Sequence, residues 1–138
     1  MWQHKPSVLF VCKHNTGRSQ MVEAYLRQFT GESINVASAG TIVADRPDPT
    51  VVLAMAEDGI DISAARPKLL TQEMSSNADR IITMGCDVEG VPRIDDDWGL
   101  PDPKGQTIER VREIREMVKQ RARALAGEMR IVGDAGRA

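Results

Sequence analysis

Cys12-Lys13-His14-Asn15-Thr16-Gly17-Arg18-Ser19 puts a thiol, a five-residue loop, a guanidinium and a hydroxyl on one short stretch. That spacing suits covalent chemistry on a tetrahedral oxyanion. A loop wrapped ahead of a helix aims successive backbone N–H groups at one point, so Lys13, His14, Asn15, Thr16 and Gly17 form the expected anion nest. Arg18 offers a planar fork matched to two oxygens of the same anion. These surroundings are expected to favour the thiolate of Cys12, the form that acts as nucleophile. Ser19 is placed to donate a hydrogen bond to that sulfur, and Asn15 to tie the loop together. Gly17 is expected to supply backbone angles that a side chain forbids. A Walker phosphate loop is excluded, because no Gly-x4-Gly-Lys-Ser/Thr run occurs.

Two further groups bear on this loop. Asp102 lies in Leu100-Pro101-Asp102-Pro103-Lys104-Gly105, a turn stiffened by proline on both sides. A carboxyl group presented that way suits a general acid for the oxygen leaving the central atom. An ordinary aspartate in a Pro-rich turn fits the local sequence equally well. Cys86, in Met84-Gly85-Cys86, reads either as a second reactive thiol or as an inert, half-buried one. His14 reads as a loop-lining residue, since a thiolate favoured by its loop needs no base. Cys12, His14 and Cys86 lack the paired spacing of zinc ligands. Asp95-Asp96-Asp97 reads as a solvated charge run.

The elements that must hold these groups follow from patterning. Ser7 to Cys12 is a continuous apolar run, as in a strand buried on both faces of a parallel sheet. Met21, Val22, Tyr25, Leu26 and Phe29 recur at helical spacing, and Gly31 stops that helix. Ile34 to Ala39 is a second strand closed by Gly40. Pro49 to Glu57 is a helix with proline in its first turn and Gly59 past its end. Arg80 to Met84 is a third strand, and Val91 to Ile94 a weaker fourth. Ile108, Val111, Ile114, Val118, Ala122 and Leu125 mark one face of a last helix. Alternating strands and helices imply a three-layer α/β/α sandwich with parallel strands. Ligands in such sheets sit beyond the carboxyl ends of the strands, where Cys12 falls. In a 2-1-3-4 order Cys12 and Cys86 leave neighbouring strands, about 5 Å apart, on the same edge.

Bulk properties set the wider frame. The 138 residues fit one domain spanning 1–138, with 41% hydrophobic and 28% charged residues. A formal charge of −2 gives no basic footprint for nucleic acid. No apolar run approaches a membrane span, and the polar start before Ser7 is no signal peptide. The expected setting is the cytoplasm, with two cysteines too few for a secreted disulfide scaffold. The working expectation is a monomer.

From about Ser7 to Leu125 the chain resembles the arsenate reductases built on the low-molecular-weight tyrosine phosphatase fold. Val8-Leu9-Phe10-Val11-Cys12, His14-Asn15 and Gly17-Arg18-Ser19-Gln20-Met21 carry the resemblance most specifically. Ser38-Ala39-Gly40-Thr41, Gly59-Ile60-Asp61-Ile62-Ser63, Ile82-Thr83-Met84-Gly85-Cys86 and Leu100-Pro101-Asp102-Pro103 follow in the expected order. The resemblance implies a four-stranded parallel sheet, Cys12 as nucleophile, Arg18 as oxyanion clamp and Asp102 as acid. It implies no tightly bound organic cofactor. In some relatives a potassium ion steadies the loop, and the matching positions here are Asn15, Glu23, Ser38 and Asp61. Phosphatase relatives usually carry proline where Gln20 stands and aromatics after the Asp-Pro pair. Lys104 and Gly105 follow Pro103 here, which favours arsenate over a phosphotyrosine peptide. A tyrosine phosphatase working through a phosphocysteine is the alternative.

Reducing arsenate to arsenite takes two electrons, which two thiols supply on forming a disulfide. In thioredoxin-coupled relatives a second cysteine attacks the first, and a third relays the disulfide outward. Cys86 matches the second, but Asp87-Val88-Glu89-Gly90-Val91 supplies no third. Two routes remain. A small thiol such as mycothiol attacks the Cys12–arsenate adduct and a mycoredoxin completes reduction, as in the arsenate–mycothiol transferase branch, the preferred reading. Alternatively Cys12 and Cys86 form a disulfide that thioredoxin reduces.

Overall fold

A computed structural model describes residues 5–42, 44–85 and 88–135, the side chains of 130–135 excepted. The order along the chain is β1 (Ser7–Cys12), α1 (Arg18–Thr30), β2 (Asn35–Gly40), α2 (Pro49–Glu57), α3 (Gln72–Asn77), β3 (Arg80–Thr83), β4 (Asp96–Asp97) and α4 (Ile108–Ala135). The four strands form one parallel sheet in the order β2-β1-β3-β4. This is the expected α/β/α architecture with the expected strand order.

β1 is apolar on both faces because each face meets its own core. Val8, Phe10 and Cys12 point to the larger one, built with Met21, Tyr25 and Leu26 of α1, Met55 of α2, and Val111, Ile114 and Val118 of α4. Leu9 and Val11 point to the smaller one, with Ala39 and Ile81, covered by Leu70, Met74, Val88 and Val91. Ile114 is fully buried in the larger core. Ile114→Ala is therefore expected to cost about 2–5 kcal/mol of stability, read as a lower urea midpoint at unchanged slope. Among the described residues no helix is long and apolar enough to cross a membrane.

Two elements differ from the sequence expectation. α3 is short and polar, with no apolar period to mark it; Thr71 caps it by accepting from the Met74 N–H at 3.1 Å. The fourth strand falls at Asp96–Asp97 rather than at Val91–Ile94. Val91 packs against the smaller core, and Asp96 and Asp97 pair with Ile82 and Thr83. The acidic run is exposed, as expected of a solvated charge run, and it also forms the sheet edge. Asp95 accepts from the Ile81 N–H at 2.8 Å, and Asp96 from the Trp98 Nε1 at 3.0 Å. The Ile81 N–H, joined by the Arg93 guanidinium, holds the Asp95 carboxyl below the usual aspartate range, against a smaller opposing effect of burial.

Candidate active site

Cys12 ends β1, and the loop after it turns back over the strand ends before α1 begins at Arg18. Loop carbonyls are committed to the segment beyond β2. Those of Cys12 and Lys13 accept from the Thr41 and Ile42 N–H groups at 3.2 and 2.9 Å, and that of Thr16 from Asp48 at 3.0 Å. The Asn15 N–H turns inward and donates to Cys12 Sγ at 3.1 Å. Asn15 takes φ 58°, a left-handed conformation that asparagine tolerates better than most side chains.

Asn15 is wholly buried and organises the loop through its side chain. Its Oδ1 accepts from the Lys68 N–H at 2.9 Å and from Gln20 Nε2 at 3.2 Å, which fixes the direction of the amide. Nδ2 then donates to the hydroxyl oxygens of Ser19 and Ser38, at 2.8 and 2.9 Å. The Ser19 hydroxyl lies 2.8 Å from Cys12 Sγ and donates to that sulfur when it is the thiolate. The Ser38 proton goes to Glu23 Oε1 at 2.5 Å. Ser19 thus occupies the expected place beside the sulfur. Among the described residues no buried side-chain nitrogen or oxygen lacks a partner.

Arg18 is 7% exposed. Its Nη1 donates to two carbonyls, Met84 and Leu100, both at 2.6 Å. One lies just past the end of β3; the other opens the turn that carries Asp102. Nη2 faces Asp102 Oδ2 at 3.9 Å. The Asp102 side chain is 62% exposed, and its Oδ1 accepts from the Lys104 N–H at 3.0 Å. Asp102 thus closes its own turn with one oxygen and faces Arg18 with the other. Lys13 is exposed, and His14 and Thr16 are partly buried on the loop. Cys86 lies outside the described residues.

Gly17 is needed for space. Its backbone lies at φ −129° and ψ −99°, and a Cβ there would meet Pro103 Cγ at 2.9 Å. The Asp102-Pro103 turn is seated directly on the loop. Gln20 and Lys68 were missed as site residues. Gln20 joins α1 to the loop by donating to the Asn15 carbonyl at 3.0 Å. Lys68 acts through its backbone from 53 positions away, and no local signal marks it.

The expected potassium positions divide. Asn15, Ser38 and Glu23 form one hydrogen-bonded chain, but the Glu23 carboxylate already meets Arg27 at 3.1 Å and the Lys68 ammonium at 3.6 Å. Asp61 is exposed and accepts from Ser63, whose hydroxyl and N–H hold its carboxyl below the usual range. Among the described residues no group of three or more His, Cys, Asp or Glu side chains gathers around a metal-sized site. Of the four positions, Glu23 is the one already shared between two cations.

The profile of the low molecular weight phosphotyrosine protein phosphatases matches residues 7–91, from the start of β1 to beyond β3. The chain belongs to that phosphatase family. Within this phosphatase fold it is most informatively compared with reductases. The glutaredoxin arsenate reductase of Synechocystis sp. is 36% identical over 128 residues, covering 88% of this chain and 97% of its own. The solved structure of an arsenate reductase in the phosphate binding state is 36% identical, with a TM-score of 0.80 over 89% of this chain and 98% of that one. A thioredoxin-dependent arsenate reductase of Corynebacterium glutamicum is 37% identical, with a TM-score of 0.79. That match covers 92% of this chain but 63% of the other, so the phosphatase-family chain described here spans less than two thirds of that relative.

Proposed function

We propose that this chain is an arsenate reductase whose Cys12 sulfur attacks arsenate. The observation that carries the reading is the sulfur's setting. Two donors, the Asn15 N–H and the Ser19 hydroxyl, converge on Sγ, and a buried arginine closes the same loop. Relatives that match most of the chain are arsenate reductases.

The chemistry runs in balanced steps. The Cys12 thiolate displaces one oxygen of arsenate, which leaves as water once Asp102 has protonated it, and a sulfur–arsenic bond forms. Arg18 and the loop N–H groups bear the charge on the remaining oxygens. A small thiol, mycothiol in the preferred reading, then attacks the arsenic and releases Cys12. A mycoredoxin thiolate attacks the sulfur of that arsenothiol, so that a mixed disulfide forms and arsenite leaves with the electron pair. The alternative is attack by Cys86 on Cys12, with thioredoxin reducing the resulting disulfide. The reaction is placed in the cytoplasm and in a monomer.

Arsenite production measured separately with thioredoxin, with glutaredoxin and glutathione, and with mycoredoxin and mycothiol tests the proposal. Arsenite is expected fastest with the last pair. No arsenite with any of them, alongside fast hydrolysis of a phosphotyrosine peptide, would replace it with the phosphatase reading. Cys86→Ser is expected to leave turnover with mycothiol and mycoredoxin unchanged. Loss of that turnover would move the second step to the internal disulfide.

The cations on Glu23 carry a further expectation. An added ion would sit against the Lys68 ammonium, so potassium should bring no stabilisation. Melting temperatures in potassium and sodium chloride of equal strength should coincide; a higher value in potassium would reinstate the ion.

A further inference from the structure

The geometry points to Asp97 as a positioning residue for the oxyanion clamp, although it touches neither Cys12 nor the loop around it. The inference rests on the reading of the Cys12 loop as an oxyanion site. Asp97 Oδ1 accepts from the Thr83 hydroxyl at 2.6 Å and from the Gly85 N–H at 2.8 Å. Those two donors bracket Met84, whose carbonyl takes Arg18 Nη1. The Gly85 N–H and the Met84 carbonyl belong to one peptide unit, so the carboxylate that holds the first fixes the plane of the second, while the Thr83 hydroxyl tethers it to the end of β3.

The same crossing holds the second acceptor. Gly85 takes φ 83°, and a Cβ there would meet Gly99 Cα at 2.9 Å and Leu100 N at 3.2 Å. The turn leaving β3 is thus packed on the chain that enters the Asp102 turn, and the Leu100 carbonyl is the other anchor of Nη1. Trp98 binds the two stretches by donating its N–H to the Thr83 carbonyl at 2.8 Å. Asp97 is the one carboxylate among the described residues hydrogen-bonded to the Gly85 N–H. Without it the Gly85 peptide can rotate, the Met84 carbonyl turns, and Arg18 Nη1 loses one of the two acceptors that hold the guanidinium. Asp96 makes a natural control. It shares the two-residue strand, but its carboxylate takes the Asp97 N–H and the Trp98 ring N–H and reaches neither Thr83 nor Gly85.

Binding of inorganic phosphate, read as protection of Cys12 from alkylation by iodoacetamide, separates positioning from strand support. Asp97→Ala is expected to raise the phosphate dissociation constant about tenfold, the worth of one charge-assisted hydrogen bond. Asp97→Asn, whose amide oxygen can accept from the same donors, should restore it to within about threefold. Asp96→Ala should leave it near the parent value. Thr83→Val, which deletes only the hydroxyl donor, is expected to move it in the direction of Asp97→Ala, and serves if that variant does not fold. An unchanged constant in Asp97→Ala or, if that variant does not fold, in Thr83→Val overturns the inference, as does an equal rise in Asp96→Ala. Absence of phosphate protection in the parent would overturn the oxyanion site itself, a result distinguishable from either.

Discussion

Cys12→Ser is expected to abolish arsenite production, by at least about a thousandfold, while leaving the fold intact. The hydroxyl would keep company with Ser19 and the Asn15 N–H, so the loop retains its internal hydrogen bonds. What it lacks is the sulfur. A serine oxygen is a poor nucleophile at neutral pH and cannot pass an electron pair onward as a disulfide does. Single-turnover assays with each thiol system, run beside a melting curve, would separate lost chemistry from lost structure. Residual arsenite formation near the parent rate would remove Cys12 from the nucleophile's role.

Arg18→Lys should be nearly as damaging, with kcat/KM falling about 10²–10³-fold. The two residues share a charge but not a shape. The guanidinium gives one nitrogen to the Met84 and Leu100 carbonyls and keeps others for an anion. A single ammonium at that site must choose between the carbonyls and the substrate. The loss should fall on arsenate-dependent steps, seen as weaker protection of Cys12 by oxyanions as well as slower turnover. A variant within about threefold of the parent would show that the loop N–H groups suffice alone.

Much of this was legible in the sequence because it was local. The apolar run of β1, the spacing on α1 and α4, and the Cys12–Ser19 stretch each state their role within a few residues. The sheet order and the pairing of Ser19 with the sulfur agree with those expectations. The misses share a cause. α3 lacks an apolar face, so periodicity cannot find it. β4 pairs through aspartates whose backbone, rather than side-chain character, makes the strand. Lys68, Pro103 and Asp97 act across 53, 86 and 12 positions, on Asn15, Gly17 and Gly85 respectively, and only the tertiary fold brings them in.

The closed chain of hydrogen bonds through Asn15 has a consequence for selectivity. Both donors aimed at the sulfur are held by the protein's own hydrogen bonds before any substrate arrives. A cradle set in advance reads geometry and charge, and arsenate and phosphate differ little in either. On the proposed reading the enzyme therefore cannot turn phosphate away at the door. It tells the two elements apart afterwards, because a thiol can draw arsenic off as the reduced acid, whereas phosphorus stays at its oxidation level and must leave as it came.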